Sequence, residues 1–348
     1  MRGIRFRPVR PVSSVRVVST NGAVPIGGRD YPRDWPEFMR FFGDEEACLA
    51  YLERLRWPEG FRCPACGHDE GWRTKRGLWV CRACERQSSV TAGTLLAGTR
   101  TPLGSWFAAI WQLTNQKQGL SALGLKRLLG LGSYETAWAQ LHKLRRAMVR
   151  PGRELLQGLV ELDEGYVGGR EIGLAGREVA DKSIVVAAVE VREGERRETA
   201  GRVRMSRLGR ATKRTLQGFI SEAVESGSRV RTDCWNAYRG LEELGYPHEP
   251  IRVSRTGEPA SVSMPHVHRA FSLLKRWLLG THQGSIQPHQ LDYYLDEFTF
   301  RFNRRRSRHR GLLFYRLLSE VIATEPIPLK RIVGGHHGRQ GTNREDHI

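Results

Sequence analysis

Two close cysteine pairs place the tightest constraint on what this chain can fold into. Cys63-Pro-Ala-Cys66 and Cys81-Arg-Ala-Cys84 have fourteen residues between them. Each pair offers two thiolates from one tight turn, and the loop between them is long enough for the turns to close a tetrahedron around a single ion. Gly67 lets the backbone turn under the sulfurs, and residues 61–90 carry too little apolar mass to fold without a metal. Four thiolates leave no open coordination position, so the spacing predicts a structural Zn2+; a redox dithiol is the alternative. Cys48 and Cys234 have no such neighbours and are expected to be packed thiols. Arg62, Arg73, Lys75, Arg76, Arg82 and Arg86 decorate the segment, as phosphate contacts or as a solvated face.

Charge narrows the choice of partner. Against 37 acidic residues the chain sets 56 basic ones, a net charge of +19 over 348 residues, and such an excess concentrates a polyanion around the protein. Nucleic acid is the expected partner, with a ribosome-adjacent or merely very basic protein as the bland reading. There is no apolar run of 18 residues and no continuous apolar stretch in the first 30. The expectation is a cytoplasmic, nucleoid-associated protein with no membrane partner.

Patterning divides the chain into five segments. Residues 1–30 mix Arg, Pro, Ser and Gly without periodicity and read as a disordered basic arm. Residues 31–90 combine one helix from Trp35 to Leu55, with Asp44 as a capping residue, and the cysteine segment. Residues 91–150 form a small helical module, with helices at about 102–117, 121–129 and 133–148, the last two opening on Ser121 and Ser133. The turn Gly130-Leu-Gly-Ser133 gives this pair the form of a helix-turn-helix, and its second helix carries Gln140, His142, Lys143, Arg145 and Arg146 toward a major groove; a plain helical bundle is the alternative. Residues 155–325 turn to short β-rich runs, Leu159–Asp163, Ile184–Val191 and Val230–Asp233, with helices between and after them, which predicts a mixed α/β layer fold. Residues 326–348 are Gly-, His- and Arg-rich and read as a flexible tail.

Within the α/β segment, Asp163 closes one apolar strand and Asp233 closes another. A lone Asp at a strand end is ordinarily a turn former. Two of them in such a basic chain suit phosphoryl transfer, which needs carboxylates from separate elements to hold divalent ions. Side-chain alternation puts Glu161 on the face of Asp163 and turns Glu164 away, and either remains open as a helper.

Several blocks then occur together: Cys63-Pro-Ala-Cys66-Gly with Cys81 and Cys84, Thr91-Ala-Gly-Thr94, Leu162-Asp-Glu-Gly-Tyr-Val-Gly-Gly169, Thr232-Asp-Cys-Trp-Asn-Ala-Tyr238, Leu274-Lys-Arg-Trp277 with Gly280-Thr-His282, and Tyr294-Leu-Asp-Glu-Phe-Thr-Phe-Arg-Phe-Asn-Arg304. In this order, from about residue 32 to 325, the chain resembles the ISXO-like insertion-sequence transposases. The resemblance implies an N-terminal zinc ribbon, a DNA-binding helical region and an RNase H-like catalytic domain with an Asp-Asp-Glu or Asp-Asp-Asn triad. Carried over by position, the first two acids are Asp163 and Asp233. The third falls four residues before the Ser of Ser272-Leu-Leu-Lys275, where this chain has His268, 35 positions after Asp233.

His268 and Lys275 fall on one helix face, about 10 Å apart at roughly 1.5 Å per residue. An imidazole binds divalent ions and suits Mn2+ better than Mg2+, so Asp163, Asp233 and His268 are the expected ligands of Mg2+ or Mn2+, with Lys275 on a DNA phosphate. A DNA-contacting or surface histidine is the alternative for His268, and Glu297 is the rival third acid, in a helix that reads as core. Arg301, Asn303, Arg304, Arg305 and Arg306 form a basic run expected along DNA beside Lys143, Arg145 and Arg146, with a solvated face as the alternative.

The resemblance implies a transposase that cleaves and joins DNA at insertion-sequence ends, acting as a homo-oligomer on that DNA. Departure from the usual third ligand motivates a second reading, an inactive or domesticated transposase that only binds DNA. A third is an RNase H-like nuclease acting on RNA or junctions.

Overall fold

The computed structural model describes residues 24–150, 152–168, 182–195, 197–251, 260–284 and 286–334. The arm expected at 1–30 lies outside the described residues up to 23, and the expected tail lies outside them from 335. The chain divides into two compact units, residues 1–111 with 309–326, and residues 112–308 with 327–348.

The first unit opens with two helices where the sequence pattern suggested one. Helix α1 spans Trp35–Phe41 and α2 spans Glu45–Arg56. Asp44 separates them: its carboxylate accepts the Ala47 N–H at 2.8 Å and so starts a new helix. Helix α2 buries Cys48, Tyr51, Leu52 and Leu55, and burial pushes the Cys48 thiol up to about 12. Cys48 is therefore a packed thiol as expected, whereas Cys234 is exposed.

Three short antiparallel strands follow, β1 (Gly71–Arg73), β2 (Trp79–Cys81) and β3 (Gln87–Ser88). Their apolar core is small, Phe61, Cys63 and Cys81 with Trp57 and Trp79 packed alongside. Helix α3 (Leu103–Asn115) sends Phe107 and Trp111 into an aromatic cluster with Phe38, Phe42 and Phe314. Phe314 belongs to α10 (Arg310–Ala323), so this helix packs in the first unit. Its close approach needs Gly311, where a Cβ would lie 1.7 Å from the Pro32 carbonyl oxygen.

In the second unit, α4 (Ala122–Leu129) and α5 (Tyr134–Ala147) start on Ser121 and Ser133, whose hydroxyls accept the Gly124 and Thr136 N–H groups. Gly130, in the left-handed region at φ 62°, ends α4. Next come β4 (Leu159–Val167), β5 (Ser183–Arg192), β6 (Thr199–Leu208), α6 (Lys213–Ala223), β7 (Arg229–Asp233), β8 (His248–Ile251), α7 (Ala260–Ser263), α8 (Pro265–His282), α9 (Leu291–Asn303) and α11 (Leu329–Val333).

The five strands form one sheet in the order β6-β5-β4-β7-β8. The first three are antiparallel neighbours, while β7 and β8 join parallel to β4. Alternation along β4 and β5 gives each face its own core. Val160, Leu162, Val186 and Ala188 pack with α6 through Leu216, Phe219 and Ile220. On the opposite face Val185, Ala187 and Val189 pack with Val267, Phe271 and Leu274 of α8 and Leu295 and Phe298 of α9. A three-stranded antiparallel meander extended by parallel strands, with helices on both faces, is the RNase H-like arrangement.

Candidate functional site

The site begins where β4 and β7 part. Strand β4 pairs with β5 along its whole length, but with β7 only from Leu159 opposite Arg229 to Glu161 opposite Arg231. Asp163 and Asp233 lie beyond the last of these pairs on neighbouring strands. Asp163 therefore sits in mid-strand instead of closing it, because β5 keeps pairing with β4 through Val167.

Alternation sorts the three acids of β4. Glu161 and Asp163 face α8, and Glu164 turns to the other side, where the Tyr238 hydroxyl donates to it. Helix α8 starts with Pro265 and has no capping side chain of its own. Glu161 takes that role from the strand: its Oε2 accepts the His266 and Val267 N–H groups at 2.7 and 2.9 Å. The first turn of α8 then brings His268 Nε2 to 3.8 Å from Asp163 Oδ2.

Electrostatics shows the same convergence. Burial, then the charge of Asp233, pushes the Asp163 carboxyl up to about 6, against a smaller pull from the Glu164 N–H and the Lys275 ammonium. Burial also holds His268 below its ordinary value, partly offset by Asp233. Glu164 is raised by burial, with the Tyr238 hydroxyl opposing and the charges of Asp163 and Asp233 adding to the rise. Asp163 accepts the Glu164 N–H at 2.9 Å and Asp233 the Trp235 N–H at 3.1 Å, which fixes both carboxylates.

Lys275 is exposed on α8, on the side of the helix away from buried Phe271, Leu274 and Leu278. Asp163, Asp233, His268 and Lys275 are thus brought together. Among the described residues, two groups offer three or more ligand atoms all within 4.8 Å, the four cysteines and Glu161 with Glu198 and His266; the Asp163, Asp233 and His268 set is looser.

The expected groove-reading face of α5 is a packing face. Gln140, His142 and Arg145 are buried. Arg145 lies 4.2 Å over the Tyr294 ring and its Nε donates to Glu297 at 2.8 Å, so it is unavailable to a phosphate. Lys143 and Arg146 remain half-buried, and Arg304 is half-buried with its guanidinium over the Phe300 ring. Glu297, the rival third acid, is fully buried between Arg145 and Arg301. Against the cost of burial, those two cations hold its carboxyl below the ordinary range. It belongs to the core. Sequence reasoning left Tyr238 unused and the clamp by Glu161 unseen; shared strand parity with Asp163 was the available signal for the second.

The cysteines of the three-stranded segment meet the geometry that zinc requires. Cys66 and Cys81 sulfurs are 3.5 Å apart and those of Cys63 and Cys84 are 3.7 Å apart, against about 3.8 Å for the edge of a tetrahedron with 2.3 Å Zn–S bonds. Gly67 turns the chain at φ 77°, and Cys63 Sγ accepts the Ala65 N–H at 3.4 Å. The four thiolates fit a structural zinc. Around them Arg73 pairs with Glu46 and Glu53, and Arg82 pairs with Glu70.

Family comparison gives these two constellations one origin. The profile of the ISXO2-like transposase domain matches residues 155–303, and that of the transposase zinc-ribbon domain matches residues 43–87. The chain thus carries an ISXO2-like transposase domain and a transposase zinc-ribbon domain. Its match places the Asp163 and Asp233 strands inside the DDE domain and the four cysteines inside the family's zinc ribbon.

Comparison with curated proteins gives no match. Among solved structures, a chain of the simian T-cell lymphotropic virus intasome in complex with PP2A regulatory subunit B56 gamma is 14% identical, covering 59% of this chain and 74% of its own, with a TM-score of 0.30. A chain of the Mos1 transposase paired-end complex with left transposon end is 12% identical, covering 57% of this chain and 76% of its own, with a TM-score of 0.20. Among the described residues no helix is long and apolar enough to cross a membrane.

Proposed function

We propose that this chain binds the DNA ends of an insertion sequence and catalyses metal-dependent strand cleavage and strand transfer. The observation that carries this reading is the meeting of Asp163, Asp233 and His268 where β4 and β7 separate, with His268 3.8 Å from Asp163. Two carboxylates and an imidazole from three elements are a donor set for Mg2+ or Mn2+, and the nitrogen favours Mn2+. These residues would hold divalent ions whose chemistry would be to activate water and to stabilise charge on a phosphodiester.

The chain's own groups supply the rest. Asp163 and Asp233 are ligands, His268 is the third, and Lys275, exposed two turns along the same helix, holds a phosphate beside the cut. Glu164 and Tyr238 brace β4 against the segment after Asp233, so the two aspartates keep their separation. Zinc in the ribbon preserves a basic surface for DNA. Two element ends call for more than one copy of the chain on the DNA.

The neutral His268 in place of an acid is the observation that favours the alternative of a binding protein without cutting activity. Incubating the full chain with end-containing duplex DNA in Mn2+ or Mg2+ separates the two readings. Cleavage and strand transfer, stronger in Mn2+ and lost in Asp163→Asn and Asp233→Asn with DNA binding retained, are the expected outcome. Binding with no cleavage in either ion selects the alternative, and cutting that is indifferent to the DNA ends selects a general nuclease.

A further inference from the structure

Nearer the start of β4 than Asp163, a second group of donors lies close together. Glu161 on β4, His266 in the first turn of α8 and Glu198 just before β6 place their ligand atoms within 4.8 Å of one another. Glu161 is fully buried, and although its Oε2 accepts two N–H groups, its Oε1 has no hydrogen-bond partner. His266 Nε2 is also buried without a partner and lies 3.8 Å from Glu198 Oε2.

Arg231 on β7 stands beside these donors and hydrogen-bonds to Glu249 instead. Its Nη1 stands 3.8 Å from Glu161 Oε1 and 3.7 Å from Glu198 Oε2, while its Nε donates to Glu249 at 2.9 Å. Glu161 and Glu198 thus share one guanidinium, Glu249 being paired with Arg229 as well, and Glu161 Oε1 and His266 Nε2 are both buried without a hydrogen-bond partner inside one close group of ligand atoms. Leaving both unsatisfied is costly, and a cation coordinated by them satisfies both while neutralising the surplus charge.

We infer that Glu161, Glu198 and His266 form a second divalent-cation site, distinct from the Asp163 site, with two carboxylates and one imidazole suited to Zn2+ or Mn2+. Such an ion ties together strand β4, the entry to β6 and the first turn of α8. Asp163 and His268 each lie two residues beyond one of its ligands, so an occupied site fixes the strand and helix that carry them. The site stands on its own residues and goes beyond the catalytic reading.

The test uses the full chain carrying Asp163→Asn and Asp233→Asn, with zinc in the cysteine ribbon, so that failure here is distinguishable from failure of the catalytic assignment. Co2+ is titrated in and read by the weak visible absorption of oxygen- and nitrogen-ligated cobalt, which differs from thiolate charge transfer, and total metal is counted. Expected is one equivalent beyond the ribbon zinc, weakened by more than about tenfold in Glu198→Ala and in His266→Ala and unchanged in His268→Ala. Glu198 is exposed, so its alanine variant tests the site without removing a core side chain. No extra equivalent, or equal binding after both Glu198→Ala and His266→Ala, overturns the proposal and leaves water beside Arg231 as the occupant.

Discussion

The carboxyl of Asp163 sits where an anion is disfavoured, buried and beside the charge of Asp233, at about 6 against an ordinary 3.8. Since the folded value lies above the unfolded one, protonation favours the fold. The cost of the charge is absent below about pH 4, grows as pH rises toward 6, and is complete above it. Asp163→Asn is therefore expected to stabilise protein without added Mg2+ or Mn2+ at pH 8 by about 1–3 kcal/mol, the gain vanishing near pH 4; urea unfolding at the two pH values measures it, and an equal gain at both contradicts the assignment. Arg145 makes the opposite case. It was legible as a cation on a helix, but not as the partner of a buried acid 152 residues away. Arg145→Ala strands Glu297 without one of its two partners and is expected to cost about 3–5 kcal/mol in urea unfolding, with Glu297→Leu in the same chain recovering part of the loss.

Elements whose signals are local were readable, and those defined by distant partners were not. Ser121, Ser133 and Asp44 cap helices through their own neighbours, and β4, β5 and β7 announce themselves by apolar runs. Strand β6 hides behind Arg202, Arg204 and Arg207, because Glu190 on β5 and the Leu155 and Glu154 carbonyls satisfy the first two and Asp292 pairs with the third. Strand β8, His248–Ile251, carries a proline at the sheet edge. Strand β4 continues past Asp163 because β5 keeps pairing with it, a cause that composition does not signal.

The contact between β4 and α8 yields a prediction of its own. A Cβ at Gly165 would lie 3.2–3.3 Å from the Phe271 ring, so Gly165→Leu is expected to push α8 off the strand. The change costs about 1–3 kcal/mol in thermal unfolding and weakens Mn2+ binding at Asp163 in a titration; unchanged affinity would show that the helix does not set the site. In the ribbon, Phe61, Cys63 and Cys81 are too few to hold β1–β3. Cys81→Ser should speed amide exchange there by orders of magnitude, with β4 and β5 as the internal reference.

At the scale of the whole molecule, the net charge of +19 bears on the proposed DNA binding. Affinity for duplex DNA is expected to fall linearly in log–log terms with salt, and Lys275→Ala to reduce that slope by about 1; an unchanged slope, measured by fluorescence anisotropy from 50 to 200 mM salt, removes Lys275 from the phosphate contacts. The order of blocks along the chain made the ribbon and the RNase H-like domain readable, whereas the return of α10 to the first unit depends on a glycine meeting a carbonyl 279 residues earlier and had no local mark. Everything catalytic rests on Asp163, Asp233 and His268 capturing an ion together. Anomalous diffraction from crystals soaked in Mn2+ tests this most directly. A manganese peak is expected within about 2.0–2.3 Å of the Asp163 and Asp233 carboxylates and His268 Nε2. Occupied manganese elsewhere with none at these three side chains would contradict it.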